Sequence, residues 1–139
     1  MRCLIDTNVL INIIEYDYIS DNIKNILSDY ENQIYISSES IKEFIHLVQT
    51  KKISPPKNRV RITDNLFDFV EEELNIGIKY ISKEHLRALA KLPLIDEHRD
   101  PSDRLIISQA ITEKLPLISN DSKFSKYKKY GLELISNRR

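Results

Sequence analysis

Five short apolar runs recur along the chain: RCLI (2–5), IYI (34–36), IKYI (78–81), LPLIS (115–119) and LELI (132–135). Amphipathic stretches of helical spacing lie between them, and this alternation restricts the fold more than any other feature. A strand followed by a helix must return to the sheet parallel to its predecessor. The expectation is an α/β fold with a mainly parallel sheet of about five strands and helices on both faces.

The helices announce their starts. VLINII (9–14) begins one, and Ser20 precedes Ile23, Ile26, Leu27 and Tyr30 at helical spacing. A third starts near Ser37 or Ser38 and turns Ile41, Phe44, Ile45 and Val48 to one side. A fourth follows Thr63 or Asp64 with Leu66, Phe67, Val70 and Leu74. Ser82 caps a fifth bearing Leu86, Leu89 and Ala90, and HRDPSDRLIISQA (98–110) leads a sixth that runs to about Glu113. KKISPPKNR (51–59) reads as a loop between helices, because its two prolines break both helix and ladder.

Composition narrows the function classes. A chain of 139 residues is expected to be a single domain, residues 1–139. With only Gly77 and Gly131, neither a P-loop nor a GxGxxG turn can be built. Acidic and basic residues balance at 21 each, so net charge selects no partner. The basic residues do cluster: Lys51, Lys52, Lys57, Arg59 and Arg61 in one region, and Lys123, Lys126, Lys128, Lys129, Arg138 and Arg139 in another. Such clusters suit phosphate groups, although each alone reads first as solvated surface. The lone Cys3 sits in an apolar run and excludes an intrachain disulfide. His46, His85 and His98 lack the spacing of a zinc motif. Neither a secretory signal nor a membrane-spanning run is read, so the expected location is cytoplasmic.

In a parallel sheet, ligand sites lie beyond the carboxyl ends of the strands. Asp6 follows the first run and Asp121 follows the fourth. Each alone is explained by capping: Asp6 or Thr7 for the next helix, Asp121 for a turn at DSKF. Asp100, Pro101 and Asp103 likewise make an ordinary helix start. Asp103, however, shares its spacing with Ile106, Ile107 and Ala110, which sets its carboxylate on the inward stripe. Glu43 falls off the apolar stripe of its helix and cannot locally be told from Glu39. Two carboxylates about 4 Å apart repel by roughly 4 kcal/mol at an effective dielectric near 20, so a cluster needs protons or a cation. Oxygen ligands alone select a hard ion, Mg²⁺ or Mn²⁺, which is equipped for phosphoryl chemistry.

Four segments in order resemble the PIN-domain ribonucleases, and within them the VapC-type toxins of prokaryotic toxin–antitoxin pairs. LIDTNVLI (4–11) resembles the opening block, with its acid on Asp6. ISSESIKEF (36–44) is similar to the second, with its glutamate on Glu43. HRDPSDRLIISQA (98–110) and LPLISND (115–121) resemble the third and fourth, with acids on Asp103 and Asp121. The resemblance implies a three-layer α/β/α sandwich and Mg²⁺- or Mn²⁺-dependent endonucleolytic cleavage of RNA by activated water, leaving 5′-phosphate and 3′-hydroxyl ends. It further implies a homodimer silenced by a small cognate antitoxin. Carried over, Asp6, Asp103 and Asp121 hold metal, Glu43 binds metal or orients the attacking water, and Thr7 and Asn8 support the site by hydrogen bonding. Ser102 stands where many relatives carry an aromatic, and Ser119 where Thr is common. Asp100 is assigned to the helix cap first and a peripheral site role second; Arg104 is expected to pair with a neighbouring acid.

Other classes compete. An inactive PIN-like module binding RNA or protein would ordinarily have lost one of the four acids. A phosphatase with an aspartyl nucleophile needs a second acid where Asn8 stands, and a response-regulator receiver has no place for Glu43 or the DPSD helix. A housekeeping RNA-processing nuclease of the same family remains the alternative to a toxin.

Overall fold

The computed structural model describes residues 1–137, so Arg138 and Arg139 of the second basic cluster lie outside the described residues. The elements run β1 (Arg2–Ile5), α1 (Thr7–Glu15), α2 (Asp21–Ser28), β2 (Gln33–Ser37), α3 (Ser38–Gln49), a short α4 (Leu66–Asp68) that widens into a π-helical turn (Phe69–Glu73), β3 (Ile76–Lys79), α5 (Lys83–Lys91), α6 (Pro101–Glu113), β4 (Leu117–Ser119), a 3₁₀ segment (Ser122–Tyr130) and β5 (Leu134–Ser136). The five strands form one wholly parallel sheet in the order β3-β2-β1-β4-β5.

Alternation along the strands builds two cores. Cys3 and Ile5 of β1 join Ile34, Ile36, Ile76 and Ile118 on one face, beneath Val9, Leu10, Ile14, Ile23, Ile41, Phe44 and Phe69. Leu4 and Leu117 point to the other face, against Ile106, Ile107, Ala110, Phe124 and Tyr127. The expected α/β/α sandwich is the observed one. β1 is covered on both sides from Cys3 to Ile5, as its unbroken apolar sequence requires of a central parallel strand.

The chain first winds outward from β1 to β2 and β3, then crosses back to place β4 on the opposite side of β1. The carboxyl ends of β1 and β4 therefore flank a topological switch point, where loops diverge and leave a crevice. Asp6 leaves β1 there, and its amide still bonds the Ile118 carbonyl at 3.0 Å.

Four expectations about elements need correction. The third strand lies two residues earlier than IKYI, because pairing with β2 aligns Ile34 with Ile76 and Ile36 with Ile78. Gly77 is tolerated within it since an added Cβ would come within 2.8 Å of the Tyr35 ring. α2 ends at Ser28, where the Asp29 side chain accepts from the Glu31 amide; Tyr30 is off the helix and 98% exposed. α5 is rotated from its expected face: Leu86 is 52% exposed, and His85 is buried instead, ion-paired to Glu113 of α6 at 3.0 Å. The turn after Asp121 is a nine-residue 3₁₀ segment, and β5 starts at Leu134 because the Leu132 amide still bonds back to Tyr127.

Phe44 anchors α3 to the sheet and is fully buried. Phe44→Ala should cost about 3–5 kcal/mol. The expected readout is a lower urea midpoint with an unchanged denaturant slope.

A carboxylate site at the sheet switch point

Local folding delivers Asp6, Asp103 and Asp121 through helix caps. Asp6 is the N-cap of α1, its Oδ1 accepting from the Val9 amide at 2.9 Å. Asp100 caps α6 through the Asp103 amide at 3.0 Å, which sets Asp103 on the first turn. Asp121 caps the 3₁₀ segment, accepting from the Lys123 amide at 2.8 Å. Capping and site membership are thus not alternatives. A cap occupies one lone pair of one carboxylate oxygen and leaves acceptor capacity for the crevice.

Ser119, the last residue of β4, fastens two acids together. Its hydroxyl donates to Asp6 Oδ2, and its oxygen accepts the Asp121 amide at 3.0 Å. Asp6 is only 4% exposed. Burial pushes its carboxyl up to about 6, against the pull of Ser119 and Val9, and the negative charges of Asp103 and Glu43 push it further. Asp103 is likewise raised to about 6, by burial first, with Asp100 and Glu43 adding to it and a hydrogen bond from His98 opposing. Glu43 therefore faces the same crevice as Asp6 and Asp103. Glu39 does not share that role: its carboxylate accepts from Ser102 Oγ and pairs with Lys42 at 3.1 Å. Ser102 bridges α6 to α3 one residue before Asp103.

The tightest grouping contains a residue that sequence reasoning set aside. Ligand atoms of His98, Asp103 and Asp121 lie within 4.8 Å of one another, and Asp6 is outside that trio. His98 Nε2 is 3.0 Å from Asp103 Oδ2 and Nδ1 is 2.7 Å from the Tyr127 hydroxyl. The search for zinc spacing on one element could not find His98, because its partners come from three. Its signal was its place at the head of HRDPSD.

Other expected residues take varied positions. Among the described residues Arg104 pairs with no acid; its buried guanidinium donates to the Leu92 carbonyl at 2.6 Å and ties α6 to the end of α5. Asn8 is exposed on the first turn of α1. Thr7 is buried, and its Oγ1 has no partner among the described residues. In the first basic cluster, Arg59 serves the fold, donating to the Ile14 carbonyl at 2.7 Å and lying over the Tyr16 and Phe69 rings. Lys51, Lys52 and Lys57 are exposed, as are Lys123, Lys126, Lys128 and Lys129 beyond Asp121, with Lys126 within 3.6 Å of Glu97.

The profile of the PIN domain matches residues 3–130, nearly the whole chain. The chain belongs to the PIN domain family. No curated protein sequence matches it significantly. Among solved structures, a chain of the VapBC2 complex of Rickettsia felis, bound to a DNA fragment from its promoter, is similar with a TM-score of 0.67 and 23% identity over 98% of both chains. A chain of DNA-bound VapBC from Salmonella typhimurium gives 0.68 and 14% over 99% of each. The VapBC-5 toxin–antitoxin structure from Mycobacterium tuberculosis gives 0.63 and 16%, covering 97% of this chain and 98% of that one. At such identities these likenesses establish the fold, and the PIN-domain chemistry must be argued from the crevice itself.

The raised carboxyl of Asp6 has a signed consequence for stability. Its folded value near 6 exceeds the ordinary 3.8, so the folded state retains a proton that the unfolded state releases. The penalty is absent below about pH 4 and complete above about pH 6. Asp6→Asn keeps the cap and removes the charge. In EDTA it should exceed the parent in stability by on the order of 2 kcal/mol at pH 7.5 and match it at pH 4, measured by urea unfolding.

Proposed function

We propose that this PIN domain is a metal-dependent endoribonuclease, the toxin of a type II toxin–antitoxin pair, and that Asp6, Glu43, Asp103 and Asp121 form its catalytic site. The observation that carries the reading is the convergence of Asp6, Glu43 and Asp103 near enough to raise the carboxyls of Asp6 and Asp103, with Asp121 grouped beside Asp103. The donor set fits a divalent cation. Asp103 and Asp121 present oxygens close together, Asp6 stands behind them fixed by Ser119, and the orphaned Thr7 Oγ1 lies next to Asp6 in the sequence. Carboxylate donors suit Mg²⁺ or Mn²⁺.

When bound, such an ion supplies acidified water as nucleophile and positive charge opposite the phosphate oxygens. The protein does the rest. Asp103 and Asp121 would hold the ion, with Asp6 beside them. Glu43, half-buried and facing Asp6 and Asp103, orients the attacking water and takes its proton at the carboxylate. The exposed lysines beyond Asp121 draw in the RNA backbone. Hydrolysis leaves 5′-phosphate and 3′-hydroxyl ends.

The toxin assignment is supported by the neighbouring folds, which come from VapBC complexes, one of them described as a toxin–antitoxin system. By the same likeness the chain would be restrained by a cognate antitoxin, form a homodimer and act in the cytoplasm. Among the described residues, no helix is long and apolar enough to cross a membrane.

A mixed structured RNA incubated with the protein should be cut in Mg²⁺ or Mn²⁺ and left intact in EDTA. Asp103→Asn and Asp121→Asn should each lower the rate at least about 100-fold, since a metal's charge stabilisation is worth several kcal/mol. Cleavage that persists in EDTA or in both variants would overturn the assignment.

A further inference from the structure

Resting on the reading of this crevice as a metal site, we propose that His98 is itself a metal ligand. Its Nε2 joins Asp103 and Asp121, and this nitrogen makes the site prefer Mn²⁺ to Mg²⁺.

The imidazole is built in. His98 is 5% exposed and packed edge-on against Phe124 and Tyr127, each with its ring centroid 5.4 Å away. Tyr127 is fully buried and its hydroxyl meets two atoms of the same residue: His98 Nδ1 at 2.7 Å and the His98 carbonyl at 3.2 Å. A phenol has one proton to give. Donated to the carbonyl, it leaves the hydroxyl oxygen able to receive Nδ1–H once an ion replaces the Nε2 proton that otherwise bonds Asp103. Anchoring of the second ring nitrogen is the usual support of a ligating histidine, because it fixes both tautomer and ring plane.

A bound ion would take the place of that Nε2 proton between the imidazole and the carboxylates. The spacing accommodates an ion: Nε2 and Asp103 Oδ2 are 3.0 Å apart, and the three donors span no more than 4.8 Å. Neighbouring ligands of an octahedral ion at about 2.1 Å are separated by about 3.0 Å. Mg²⁺ takes oxygen donors, whereas Mn²⁺, a first-row transition ion, gains from an imidazole in the set.

Electron spin resonance of bound Mn²⁺ tests this without RNA. The intact protein should bind Mn²⁺ and show the ¹⁴N modulation of a directly bound imidazole in spin-echo spectra. His98→Gln should abolish that modulation and weaken Mn²⁺ binding about tenfold, with Mg²⁺ affinity, measured by competition, moving much less. Tyr127→Phe keeps the imidazole, so it should retain the modulation with weaker affinity. The wild-type spectrum decides on its own if a variant folds poorly. Mn²⁺ bound without ¹⁴N modulation, yet lost in Asp103→Asn, would overturn the role of His98 and leave the carboxylate site standing. Absence of any Mn²⁺ or Mg²⁺ binding by the intact protein would overturn both.

Discussion

Like charges resist being gathered, and the crevice of this protein gathers four. Asp6, Glu43, Asp103 and Asp121 come from four separate segments to one end of one sheet, where Asp6 and Asp103 are raised to about 6 by burial and by one another's neighbours. Each pair at about 4 Å costs on the order of 4 kcal/mol at an effective dielectric near 20. Nothing in core packing repays that cost, because the apolar clusters on both faces would be complete with neutral residues in these positions. A cation between the acids would convert repulsion into binding, and such an ion can also activate water against a phosphodiester.

The fold makes that gathering reproducible. Parallel pairing of β1 and β4, with Leu4 opposite Leu117 and Ile5 opposite Ile118, brings Asp6 and Ser119 to the same edge. Ser119 then ties the ends of the two strands through Asp6 and the Asp121 amide. Helix caps do the remaining placement. Because an N-cap acid must leave its strand and face the helix start, Asp6 and Asp121 are positioned by backbone geometry before any ligand arrives. Asp103 follows from the Asp100 cap and Pro101 at the first helical position. The site is thus preorganised by the same hydrogen bonds that begin its helices.

Much of this was legible from the chain. β1 was read to the residue, and Ser20, Ser37, Ser82 and Asp100 were read as helix starts, because capping and central-strand burial are local or nearly local. Legibility failed where a long-range partner decided the outcome. β3 shifted because β2 sets its register, and α5 rotated because Glu113 claims His85. Glu43 could not be separated from Glu39 until Ser102 and Lys42 were seen to engage the latter. Arg104 looked like an acid's partner and is a strut to Leu92. His98 was passed over since spacing within one element cannot reveal a grouping assembled from a loop, a helix and a strand end.

Crystals of the protein grown with Mn²⁺ and measured with anomalous scattering would test most directly whether the switch point is a metal centre. The expected map has an anomalous peak in bonding contact with Asp103 and Asp121, in the crevice walled by Asp6 and Glu43. A map at saturating Mn²⁺ with no peak there, or with the ion only on other acids of the surface, would contradict it.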